Sequence, residues 1–145
     1  MRSRGVTLAE LVTALVVVAV LAAVAIPLWR NHQMRVRRMD GIAALVDLQI
    51  AQDTFFGQHA RYANPAALAT PPPGGLGLKA TSLRGFYTIE LRTADDGLSY
   101  SADARPNLHA GEAADTRCAH LSIDHLGIRR ASDDAGTDRS ADCWH

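Results

Sequence analysis

From Leu11 to Trp29 the chain runs 19 residues without an ionisable side chain. A helix needs about 20 apolar residues to cross a bilayer, so this run fixes what the first part of the chain can be. One acid, Glu10, sits at its start. A carboxylate in a membrane segment costs about 2–3 kcal/mol even on insertion scales, and such groups usually carry a function. The run is open to three readings: an ordinary anchor, a secretory signal cut after Ala23-Val24-Ala25, or a segment processed earlier, between Gly5 and Val6. A signal sequence gains nothing from an acid at that place.

The remaining residues of the 145 suffice for one modest domain, not two. Fifteen basic residues balance fifteen acidic ones, which gives no support to a bulk nucleic-acid footprint. Both cysteines, Cys118 and Cys143, lie late in the chain. Behind a membrane segment the default reading is a disulfide formed in an oxidising compartment, with two buried free thiols as the alternative. Arg30, Arg35, Arg37 and Arg38 follow the apolar run, whereas only Arg2 and Arg4 precede it. The positive-inside rule alone would put the downstream domain in the cytoplasm; a disulfide requires the opposite side.

Residues 39–56 carry Ile42, Leu45, Val46, Ile50, Phe55 and Phe56 against Asp40, Asp47 and Asp53. This pattern predicts that the helix continues as an amphipathic half, with Pro27 and Gly41 as bends. From Val6 to Gly57 such a helix is about 78 Å long. Residues 58–83, dense in Pro and Gly, read as irregular. Strands are expected over Phe86–Leu91, Leu98–Ala102, Cys118–Ile123 and Ile128–Ala131, with turns at Asp95–Gly97 and Asp124–Gly127. The fold class is α+β: a long N-terminal helix on a small antiparallel sheet of about four strands.

RGVTLAEL, the apolar run and Pro27 at its far end resemble the class III signal of type IV prepilins. Phe86–Ile89, Asp115–Cys118 and the ending Ala141-Asp142-Cys143-Trp144 are similar to minor pilins of the PilE type. The resemblance implies a leader over residues 1–5 and a prepilin peptidase that cuts after Gly5 and methylates Val6. It implies a filament-core half over 6–29, an amphipathic half over 30–57, and a loop plus periplasmic sheet domain over 58–145. It makes Glu10, with Thr7 beside it, the subunit-assembly position, Pro27 a helix kink, and Cys118–Cys143 the staple of the C-terminal loop. Cleavage leaves a cationic amine at Val6, one turn from Glu10. Two isolated charges in lipid favour pairing, within one chain or between neighbours.

The partners implied are other pilin subunits, an inner-membrane assembly platform and membrane lipid. The route is a single-pass inner-membrane precursor with a periplasmic domain, then a pilus at the cell surface. No catalytic motif is present, and neither a cofactor nor a small-molecule substrate is expected. Cys118, His120, His125, Cys143 and His145 lack the paired spacing of a zinc site, so no metal is expected. Arg129, Arg130 and Arg139 stand beside Asp133, Asp134, Asp138 and Asp142, so a nucleic-acid partner is not expected either. The remaining alternatives are a type II secretion pseudopilin, the major pilin itself, or a secreted binding domain cut after Ala25.

Overall fold

A computed structural model describes residues 8–107 and 115–144. The chain divides into two compact units, Met1–Arg35 and Val36–His145. Helix α1 spans Leu8–His59. In the first unit its side chains are almost all exposed, among them Leu15, Val18, Leu21, Val24 and Trp29. An 18-residue window there has a mean hydropathy of 2.9, which is long and apolar enough to cross a membrane. Pro27 lies inside the helix, where its ring takes away one backbone donor.

In the second unit α1 buries Gly41, Leu45, Leu48 and Gln52, spaced i, i+4, i+7 and i+11 on one face. This stripe differs from the sequence expectation. Leu45 is in it, and Ile42 and Phe55 pack partly buried against the same core, but Ile50 is 60% exposed and Phe56 turns its ring to Tyr62. The reason is that a small and a polar residue hold inward places. A Cβ on Gly41 would stand 2.7 Å from Cγ of Tyr87, so glycine serves close approach of helix and ring. Gln52, fully buried, gives its amide to the Ala63 carbonyl (3.0 Å) and takes the Ala63 N–H (2.8 Å). The segment after the helix thereby finds both backbone partners inside.

The sheet has four antiparallel strands in sequence order: β1 Tyr87–Thr93, β2 Tyr100–Pro106, β3 His120–Asp124 and β4 Arg129–Ser132. Tyr87, Ile89 and Leu91 alternate inward on β1, as do Tyr100, Ala102 and Ala104 on β2 and Leu121 and Ile123 on β3. They join Leu45, Leu48, Ala131 and Cys143 in one core. The outward residues are polar, as an antiparallel sheet with one wet face requires. Every strand limit shifts from expectation by one to four residues, and two of the shifts have a plain cause. β2 runs on to Pro106, because Ala104 continues the inward alternation. Cys118 belongs to a short 3-10 turn, Thr116–Cys118, not to a strand: the Asp115 side chain accepts its N–H and winds the backbone before β3 begins.

Both edges of the sheet are engaged. Along β1, Ile89 donates to the Ala80 carbonyl and Tyr87 to the Ser82 hydroxyl. Along β4, Ala131 donates to the Ser140 hydroxyl, Arg139 donates back to the Ala131 carbonyl, and the Trp144 indole donates to the Arg130 carbonyl. Ser140 opens a single helical turn, α2 (Ser140–Cys143), in a tail that reads as merely polar in sequence.

Candidate functional site

Glu10 lies in the first turn of the described part of α1, on an exposed apolar segment. Thr13 donates to the Ala9 carbonyl at 2.7 Å, so a hydroxyl within the run is satisfied by its own helix. The expected cleavage pair Gly5 and Val6, and Thr7, lie outside the described residues, as do His109 and His145. Cys118 and Cys143 are bonded, with Cα atoms 5.9 Å apart, and tie the 3-10 turn to α2.

Of the four arginines that follow the apolar run, two make contacts inside the Val36–His145 unit. Arg38 donates through Nε (2.9 Å) and Nη2 (2.6 Å) to one oxygen of Asp115. Both side chains are largely buried, 13% and 8% exposed. Asp115 uses its other oxygen to accept the Cys118 N–H. The guanidinium of Arg37 lies 5.1 Å from the centre of the Phe86 ring. These two arginines hold the domain rather than standing as a free basic patch for lipid or a neighbour. The tyrosine beside the ion pair, Tyr87, is pushed up to about 12 by burial first and by Asp115 second. The Asp115–Arg38 link, between partners 77 positions apart, is what sequence reasoning missed. Its only legible half is the capping Asp of Asp115-Thr116-Arg117-Cys118.

The C-terminal basic residues are mostly matched. Arg130 meets Asp124 at 3.1 Å, Arg139 meets Asp133 at 3.3 Å, and Arg117 meets Asp142 at 3.6 Å. Arg129 instead lies over the Trp144 ring, 5.4 Å from its centre. Asp124 forms the turn expected of it, and Asp133 and Asp138 serve the same way. Asp124 accepts from Leu126 and Ile128, Asp133 from Ala135 and Thr137, and Asp138 from Ser140.

These bonds set their acidities. Burial raises the Asp124 carboxyl, but the N–H groups of Ile128 and Leu126 and then Arg130 together hold it below its ordinary value. The Thr137 N–H does the same for Asp133, and the Ser140 hydroxyl and N–H for Asp138. A depressed folded pKa contributes stability that is present above the unfolded carboxylate range, about pH 4, and lost as pH falls through the folded value. Between pH 5 and pH 2, the amides of Leu126, Ile128, Thr137 and Ser140 should therefore lose hydrogen-exchange protection before those of β1 and β2. Protection that falls uniformly across the sheet would contradict this.

Comparisons with known proteins meet this geometry. A family model described as type IV minor pilin ComP, DNA uptake sequence receptor, matches residues 27–122. The type IV major pilin protein PilA of Myxococcus xanthus (strain DK1622) is 33% identical over 98 residues. That match takes in 66% of this chain and 44% of the relative, so it spans less than half of the relative's length. A solved structure of a type IV pilin from Shewanella oneidensis shares the fold, with a TM-score of 0.51 at 21% identity over 77% of this chain and 98% of that one. The family description names a DNA receptor, against the charge-based expectation of no nucleic-acid partner.

Proposed function

The chain belongs to the type IV minor pilin ComP family, and on that premise we propose that it is a structural subunit of a type IV pilus, not an enzyme. The observation that carries the reading is the pairing of an exposed apolar helix, long enough to span a membrane, with a disulfide-closed sheet domain. The subunit waits in the inner membrane with its sheet in the periplasm, then enters the filament through α1. Its partners are other pilins, the prepilin peptidase, the assembly platform and lipid.

In this reading the peptidase cuts between Gly5 and Val6, and the freed amine, which the same enzyme methylates, pairs with Glu10 of the same chain or a neighbour. Glu10→Gln removes the partner of that amine while making the helix more apolar, so insertion and cleavage should proceed. Docking should suffer. The variant should accumulate in the membrane as a chain starting at Val6 and fall in sheared filaments by about tenfold, which corresponds to about 1.4 kcal/mol. Glu10→Lys should fall further, since it sets two cations together. Equal incorporation of all three forms would overturn the assembly role of Glu10.

A second reading, contact with DNA, is favoured by the family description. The basic groups for it are those with no carboxylate partner among the described residues, such as Arg105 and Arg129. Retention of a DNA duplex by the full chain, weakening steeply with salt and lost in the doubly substituted R105A/R129A form, would support it.

A further inference from the structure

Just before β1, residues 82–85 make a tight turn. The Gly85 N–H donates to the Ser82 carbonyl at 2.9 Å, and Gly85 takes a φ of +77°, which only glycine adopts freely. Ser82 is buried; its N–H donates to the Tyr87 carbonyl and its hydroxyl accepts the Tyr87 N–H, both at 2.9 Å. The Arg84 N–H donates to Oδ1 of Asp40 on α1 at 3.2 Å. These bonds fix the turn to the sheet and to the helix at once. What they hold at the tip is Leu83, 98% exposed.

Cations accompany the tip. Arg84 and Lys79 are exposed and have no carboxylate partner among the described residues. Arg37 lies over the ring of Phe86, the residue that follows the turn. The acid beside them is Asp40, with one oxygen taken by the Arg84 N–H and the other buried. Asp40 is also only eleven positions after Trp29, where the apolar run ends; eleven helical residues rise about 16 Å. The opposite end of the sheet lies about 20 Å away along β1. Its two hairpin turns expose Leu98 and Leu126 as well. There, however, Arg61 and Arg129 are outnumbered by Asp53, Asp95 and Asp96.

We propose that the turn of residues 82–85 docks on an anionic lipid surface, Leu83 entering the boundary between headgroups and acyl chains and Arg84 meeting lipid phosphates, with Lys79 and Arg37 adding to the attraction. Burial of the leucine and the charge of its neighbours favour the same contact, whereas the acids of the far end oppose it there. The surface within reach is the bilayer that the apolar run crosses, so the proposal rests on the reading of a subunit held in the membrane before assembly.

The test uses the full chain in vesicles of phosphatidylglycerol and phosphatidylcholine in equal parts. A nitrobenzoxadiazole label is attached at Leu83→Cys or at Leu126→Cys, with the Cys118–Cys143 bond intact. The label at position 83 should emit to the blue and be quenched by spin-labelled acyl chains; the label at position 126 should do neither. Arg84→Gln should lower the docked-to-free ratio at position 83 about fivefold, the factor that goes with one charge near an anionic surface. Vesicles of phosphatidylcholine alone should lower it further. A label at position 83 as wet as that at 126, equal quenching at both, or contact indifferent to lipid charge would overturn the proposal. A blue shift that grows with protein density and is not quenched by lipid would assign the tip to a second copy, and would overturn it too. Docking by a chain that never enters filaments would overturn the pilus reading and leave this contact standing. Entry into filaments by a chain that does not dock would do the reverse.

Discussion

Replacing Arg38 with Leu should destabilise the Val36–His145 unit by about 3 kcal/mol, because it strands the Asp115 carboxylate where water barely reaches it. Loss of one partner from a buried pair commonly costs about 3–5 kcal/mol; the residual exposure of the guanidinium, 13%, argues for the lower end. The damage should spread, since Asp115 also caps the turn that carries Cys118. The informative companion is R38L/D115N. Asparagine keeps an oxygen for the Cys118 N–H and removes the charge, so much of the loss should be recovered. Denaturant melts of the full chain in detergent report both. A single variant within 0.5 kcal/mol of wild type, on the order of an ordinary surface substitution, would mean that Asp115 is solvated and the pair marginal.

Opening the Cys118–Cys143 bond should have an effect of similar size by a different route. The cysteines are 25 positions apart, and on the chain-entropy model a closed loop of that length is worth about 3 kcal/mol. Nothing in the folded core need change; the unfolded chain gains freedom. C118S/C143S should therefore melt about 10 °C or more below wild type. The effect should be concentrated where the bond holds α2 against the 3-10 turn, and Trp144, which that turn of helix carries, reports it by fluorescence. Two alkylatable thiols in non-reduced protein from the periplasm would refute the premise.

What could be read beforehand followed the range of each interaction. The apolar run, the Asp96-Gly97 turn and the alternation of Tyr87, Ile89 and Leu91 are local patterns, and the helix, the hairpin and β1 appear where they predict. The inward face of the amphipathic half is not local. Ile50 is as apolar as Leu48, yet Leu48 is buried and Ile50 exposed. What decides is where Tyr87 needs a glycine opposite it and where Ala63 needs an amide, and neither demand is written within a helical turn of the residue that meets it. The same holds for the basic cluster. Counting charge placed Arg37 and Arg38 with Arg30 and Arg35, but a phenyl ring and a distant carboxylate draw the two into the domain. Asp124 was legible as a turn former because an Asx turn closes within four residues.

The tail that lies along β4 has a consequence under the pilus-subunit reading proposed above. A two-dimensional reservoir of subunits in a membrane would force neighbouring sheets into repeated collision, and a bare terminal strand would template strand-to-strand aggregation between molecules. Here the polar backbone of Ala131 is already spoken for by Ser140 and Arg139, that of Arg130 by the Trp144 indole, and the opposite margin by Ala80 and Ser82. The sheet is insulated against cross-β fusion on both margins. In that reading, polymerisation is channelled away from the most promiscuous surface a β-protein owns and left to side chains, which can be selective and reversible.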